Sequence, residues 1–146
     1  MKKIGIYAGT FNPFHVGHLD IAQQAQRLFD EVHIVRATNP NKTTYKVDMP
    51  KSRLEARGFM VYEHDGLITE LFDKGYHHVG QTRTLIRGLR NGYDLQSESD
   101  YMRMVRDAYP VNFVHFVSRS ELSHLSSTGV RELSSFDPIA AERYLV

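Results

Sequence analysis

Short apolar runs alternate along this chain with longer stretches in which apolar residues recur every three or four positions. Ile4–Ala8 is an apolar run cut by the turn-prone Gly9-Thr10-Phe11-Asn12-Pro13, which predicts a short buried strand. From Gly17 to Phe29, the residues Leu19, Ile21, Ala22, Ala25, Leu28 and Phe29 fall at near-helical spacing with polar Gln23, Gln24, Gln26 and Arg27 between them, so a helix follows. Val32–Ala37 reads as the next strand and completes a β-loop-α-β unit. Thr38–Pro50 is polar and punctuated by Pro40 and Pro50, the signature of a long surface loop.

Lys51–Arg57 predicts a short helix, Phe59–Tyr62 a strand, and Leu67–Lys74 a further helix whose end suits Gly75. Thr84-Leu85-Ile86 predicts a buried strand ending at Arg87-Gly88-Leu89-Arg90. A helix over Leu95–Ala108 is closed by Pro110, Val111–Val117 forms a fifth strand, and the Ser-rich 118–128 precedes a last helical region. Strands alternating with helices imply an α/β fold with a five-stranded parallel sheet. In such sheets ligands sit beyond the carboxyl ends of the strands, where the strand order reverses. Gly9 to His18, Asn39 to Lys42, Arg87 to Arg90 and Ser118 to Thr128 all follow strand ends and would gather on one rim.

The length of 146 residues fits one domain, residues 1–146, and 41% apolar with 24% charged residues is an ordinary globular balance. A formal charge of +1 provides no strong field, so neither nucleic acid nor an anionic membrane is an expected partner, and any anion site must be local. The absence of cysteine excludes a disulfide framework, thiolate metal sites and a thiol nucleophile, and is compatible with a cytoplasmic setting. The first apolar run stops at Gly9, short of a signal segment, and no stretch is long enough to span a bilayer.

The densest chemistry lies in Gly9-Thr10-Phe11-Asn12-Pro13-Phe14-His15-Val16-Gly17-His18, where two histidines flank a glycine at the start of the predicted helix. Free N–H groups and the helix dipole favour a phosphate there, and Gly17 lets it approach the backbone. His15 and His18 could donate hydrogen bonds to phosphate oxygens as charge grows during nucleophilic attack. Farther along, Ser126, Ser127 and Thr128 can cap a helix and offer hydroxyls to phosphates, with Arg131 one turn on. Each feature also has a plainer reading. The histidines could belong to a capping turn, Ser-Ser-Thr could be an ordinary N-cap, and Lys42 could be a solvated surface lysine. Arg87 and Arg90 could be ion-pair partners of Asp94 and Glu98. His77-His78 reads as exposed loop, and His33, His64, His115 and His124 have no metal-ligand spacing.

Taken together, Gly9 to Pro13 followed by His15-Val16-Gly17-His18 resembles the signature of the HxGH nucleotidyltransferases, and Leu125 to Arg131 is similar to their second motif, ISSTxxR. Within that superfamily the chain is most similar to the bacterial phosphopantetheine adenylyltransferases. The likeness rests on Gly9 to Ile21, Phe29 to Val32, Asn39 to Lys42, Gly66 to Ile68, and Arg87 to Arg90 with Asp94 and Glu98. The resemblance implies a Rossmann-like fold and direct transfer of AMP from ATP to 4′-phosphopantetheine, giving dephospho-coenzyme A and pyrophosphate. By the same resemblance, Thr10 and Lys42 hold the acceptor phosphate, His18 steadies the α-phosphate, Arg87 contacts the pantetheine phosphate and Ile68 lines the channel for its arm. ATP is expected on Thr10, Phe11, His15, Gly17, His18, Gly88, Leu89, Arg90, Glu98, Leu122, Ser123, His124, Leu125, Ser126, Ser127, Thr128 and Arg131. His18, Lys42, Thr10 and Arg90 are the expected catalytic set. Mg2+ is expected to arrive with ATP, with no metal ligands of the protein's own, and a homo-oligomer is the expected assembly, the hexamer being the form the resembling family takes. Asn12 stands where the family has Asp, and His15 where it commonly has Thr. Rival readings are adenylyl transfer to nicotinamide mononucleotide, and a nucleotide-binding regulator or degenerate enzyme on the same fold.

Overall fold

The computed structural model describes residues 1–38, 46–72 and 80–146. Five strands form the sheet: β1 (Lys2–Gly9), β2 (Glu31–Thr38), β3 (Met60–Asp65), β4 (Gln81–Leu89) and β5 (Asn112–Val117). Their order is β3-β2-β1-β4-β5 and every pairing is parallel. The chain therefore winds one way from β1 through β2 to β3, and the other way from β4 to β5. The reversal lies between β1 and β4, where a parallel sheet opens a crevice at its carboxyl edge.

Two apolar layers sandwich this sheet, and the period-2 alternation of strand residues decides which layer each side chain joins. Tyr7, Val32, Ile34 and Ile86 face α1 (Val16–Gln26) and α2 (Lys51–Ala56), whose Leu19, Ile21, Ala22, Ala25 and Leu54 complete that core. Ile4, Ile6, Ala8, Val35 and Leu85 face the other way, under Val105 of α3 (Gly92–Ala108), with Leu71 of a short 3-10 turn at Ile68–Phe72 beside them. The chain ends in α4 (Ser127–Phe136) and α5 (Pro138–Glu142), with Asp137 between them accepting the Ala140 N–H.

The expected elements recur with shifted ends. β4 runs from Gln81 to Leu89 rather than over Thr84–Ile86, because Arg83 and Arg87 alternate with apolar residues and interrupt the run without breaking the ladder. Arg87, Gly88 and Leu89 thus belong to the strand, and Arg90 follows it. α3 begins at Gly92 rather than Leu95, since Asn91 caps it by accepting the Asp94 N–H at 3.1 Å. The helix expected over Leu67–Lys74 is a 3-10 turn where it is described, and residues 73–79, with Gly75 and His77-His78, lie outside the described residues. No described helix is long and apolar enough to cross a membrane.

Candidate active site

A cleft of about 320 Å3 opens at the carboxyl edge between β1 and β4. Its floor is Tyr7 to Gly9 and Arg87 to Leu89, and its walls come from the turn after β1, the start of α1, and the segment between β5 and α4. Gly9 leaves β1 under the Phe11 ring, where a Cβ would meet ring atoms at 3.0 Å. Phe11 has φ +48, in the left-handed region that bulky residues avoid. Its ring is buried against Tyr7, Phe14 and His18 at centroid distances of 5.1, 5.1 and 5.0 Å. Its carbonyl accepts from the buried Arg36, whose guanidinium also donates to the Val47 carbonyl at 2.6 Å. Asn12 Oδ1 accepts the Val47 N–H at 2.7 Å, so the turn after β1 is tied to the end of β2 and to residues 46–50.

His15 is the N-cap of α1, and its Nδ1 accepts the Gly17 N–H at 3.0 Å. A Cβ on residue 17 would sit 2.8 Å from the His15 ring, so glycine is what lets the ring fold over its own helix end. His18 closes the cap from the other side, its Nδ1 accepting the His15 N–H at 3.1 Å, and the two rings stack at 3.8 Å. A ring nitrogen that accepts from an N–H carries no proton, so both rings are Nε2–H tautomers. Burial, with Arg90 nearby, lowers the His15 pKa to about 4. Burial, then His15, then Arg90 hold His18 well below the usual histidine value. Both side chains are therefore neutral donors at physiological pH.

Arg90 stands at the exit of β4, its Nε and backbone N–H donating to Asp94 at 3.1 and 2.9 Å and its guanidinium reaching the Leu125 carbonyl at 3.3 Å. Arg87 donates bidentately to Glu98 at 2.9 and 2.6 Å. Burial opposes both charges, but the bond to Glu98 outweighs it and raises the Arg87 pKa, while Arg87 holds the Glu98 carboxyl low. The arginines are thus ion-paired, as the plainer reading of the sequence had it, and they also line the cleft.

At the far wall Ser126 caps α4 by accepting the Gly129 N–H at 3.0 Å. Ser127 donates to the Pro13 carbonyl at 2.9 Å, and Arg131 donates to the Asn12 carbonyl and to Thr128 Oγ1. The chain's last residues press on the same turn, with the Val16 N–H donating to the Tyr144 carbonyl at 2.9 Å.

Of the expected residues, the cleft gathers Thr10, Phe11, His15, Gly17, His18, Arg87, Gly88, Leu89, Arg90, Leu122, Leu125, Ser126 and Ser127. Six others lie off it. Ile68 packs on the α3-side core, and Glu98 turns to Arg87 and His115. Ser123 bonds the Ser120 carbonyl, His124 meets the Tyr144 ring edge-on, and Thr128 and Arg131 serve the turn. Asn39 to Lys42 lie outside the described residues. Tyr7 and Ala8 line the cleft without having been singled out, and Ser118 of the Ser-rich rim segment lines it as well. Period-2 alternation along β1, which turns Tyr7 toward α1, was the available signal for the first. Among the described residues no group of three or more His, Asp or Glu is arranged to hold a metal ion.

The cytidylyltransferase-like family model matches residues 6–133. A phosphopantetheine adenylyltransferase of Streptococcus pneumoniae strain CGSP14 is 35% identical over 142 residues, covering 92% of this chain and 85% of that protein. Its counterpart in strain R6 is 37% identical over 143 residues with the same coverage. Among solved structures, a bifunctional NMN adenylyltransferase/ADP ribose pyrophosphatase from Francisella tularensis superposes with a TM-score of 0.65 at 17% identity, covering 99% of this chain and 45% of that one. A nicotinic acid mononucleotide adenylyltransferase from Plasmodium falciparum gives 0.62 at 14%, covering 99% and 91%. At such identities the structures speak for the shared fold, and the sequence relatives speak for the family: the chain belongs to the cytidylyltransferase-like family and, within it, to the phosphopantetheine adenylyltransferases.

Proposed function

We propose that this protein transfers AMP from ATP to 4′-phosphopantetheine, releasing pyrophosphate and dephospho-coenzyme A. The observation that carries the reading is the pair of neutral Nε2–H histidines folded over the N-terminus of α1, facing two arginines across one cleft. An acceptor phosphate oxygen attacks the α-phosphorus, the bond to the bridging oxygen of the β-phosphate breaks, and pyrophosphate leaves with the electron pair. The acceptor is already ionised at neutral pH, so the site needs positioning and charge neutralisation more than a base. His18, with His15 stacked on it, donates to the α-phosphate oxygens, and Thr10 and Arg90 flank the phosphate chain. Gly88, Leu89, Leu122 and Leu125 supply a surface for the nucleoside. Arg87 meets the acceptor phosphate. Lys42, assigned by family resemblance, completes the catalytic set.

Mg2+ enters with the ATP phosphates. The cleft suits a metal-nucleotide rather than a free ion, since its donors are N–H groups and hydroxyls and its carboxylate, Asp94, is engaged by Arg90. By family resemblance alone, the protein is assigned to the cytoplasm as a homo-oligomer. Pyrophosphate release tests the reading. ATP with 4′-phosphopantetheine should release it, and ATP with nicotinamide mononucleotide or alone should not. Release with the mononucleotide only would transfer the assignment to that acceptor, and tight ATP binding without release for any acceptor would mark a regulator.

A further inference from the structure

The Arg87 side chain is held by two residues of α3. Its Nε and NH2 donate to the two oxygens of Glu98, and its guanidinium lies 4.7 Å from the centroid of the Tyr101 ring, both partners coming from α3. β5 stands beside this pair. His115 is the register partner of Arg87 in the parallel β4–β5 pair, so the two side chains stand together on one face of the sheet. His115 Nε2 lies 3.2 Å from Glu98 Oε2, the oxygen that already accepts from Arg87 Nε. A carboxylate only accepts, so this nitrogen carries a proton and donates. The His115 ring lies nearly parallel to Phe113, at 10° with centroids 6.3 Å apart, and Tyr101 meets Phe113 edge-on at 6.2 Å.

Both Glu98 oxygens are thereby committed inside the fold, whereas Arg87 lines the cleft and its NH1 makes no hydrogen bond among the described residues. Without the donor at position 115, Glu98 would be free to follow Arg87 toward an incoming anion and compete with it.

We propose that His115, acting through Glu98, is a positioning residue that fixes Arg87 in one orientation, so that an acceptor phosphate meets a pre-oriented cation. The inference rests on the reading above for the identity of that anion. Preorganisation of this kind improves binding by removing side-chain ordering from the binding step.

His115→Phe keeps an aromatic ring beside Phe113 and removes the donor, and His115→Gln restores an N–H. Steady-state kinetics on the full chain should show the KM for 4′-phosphopantetheine raised about 3- to 10-fold in His115→Phe, the scale of one net hydrogen bond. The KM for ATP should be unchanged, with recovery in His115→Gln. Tyr101→Leu, which removes the stacking face, should give the same acceptor-selective loss. In 15N-labelled protein the Arg87 Nε–H signal should be sharp in the wild type and broadened in His115→Phe. Equal effects on both substrates, or an unchanged acceptor KM with an unchanged Arg87 signal, would overturn the seat. A wild type that turns over no phosphorylated acceptor would instead overturn the proposed function, and the Arg87 signal would then decide the seat alone.

Discussion

In His18 the Nδ1 atom receives the His15 amide at 3.1 Å, and the proton sits on Nε2. Structure and chemistry are therefore divided between two atoms of one ring and can be separated by substitution. Asn places a polar atom near the position of Nδ1, and Gln places one near Nε2. His18→Asn should keep the cap but lose the phosphate donor, lowering kcat by about 100-fold, the scale of removing one oxyanion donor. His18→Gln should retain more turnover and lose stability, because the His15 amide is left without its acceptor. Rate and urea midpoint measured on both variants check this. If the two rank in the same order for both properties, the division of labour is wrong.

One element boundary carries the shape of the phosphate turn. Arg36, at the end of β2, is 3% exposed, donates to the carbonyls of Phe11 and Val47, and has its nearest carboxylate, Glu63, only at 4.0 Å. Phe11 holds a left-handed backbone beneath that bond, a conformation that persists only when its surroundings over-determine it. Arg36→Met fills similar space without donors. Two carbonyls then lose their partner, about 1–3 kcal/mol each if left dry, against some relief from removing a buried charge. The expected net effect is a loss of roughly 1–3 kcal/mol in urea unfolding together with a reduced kcat. A variant as stable as wild type would show that relief of the buried charge dominates.

Legibility followed the same boundaries. The strand-turn-helix around Gly9 to His18 could be read because a run of apolar residues stops at turn formers and a 3.6-residue pattern starts after them. β4 was only half visible, since Arg83 and Arg87 look like breaks until their neighbours in the sheet are known. Arg36 was the missed signal, a charge inside the apolar run Val32–Ala37, where arginine is seldom buried without a task. The His115 partnership with Arg87 could not be read at all, because it depends on the β4–β5 register.

Across the whole molecule, the cleft is assembled from segments far apart in sequence and stitched by a few bonds. Ser127 reaches Pro13, Arg131 reaches Asn12, and Arg90 reaches Leu125. Asp20 of α1 accepts the Arg119 N–H at 3.0 Å beyond β5. The buried His15 and the part-buried His18 stand at this junction in their neutral form, which couples the fold to pH. Native His15 has its pKa drawn down to about 4, whereas in the unfolded chain it titrates near 6.5, and His18 is shifted in the same direction. Between those values the unfolded chain binds more protons than the native one, so stability is fully present above pH 6.5 and is lost as pH falls toward 4. At about 1.4 kcal/mol per pH unit, His15 alone contributes ~3 kcal/mol to that loss, a substantial part of the stability of a domain this size. A protonated Nδ1 would also face the Gly17 N–H that it now accepts, so the cap of α1 opens as the charge arrives. Urea midpoints should therefore fall steeply from pH 7 to pH 4.5. His15→Asn keeps a capping acceptor without a titrating group, so its profile should be the flatter of the two. A wild-type midpoint that stays level across this interval would mean that the native histidines take up protons as readily as those of the unfolded chain, and the lowering by burial that keeps the pair neutral would be overturned.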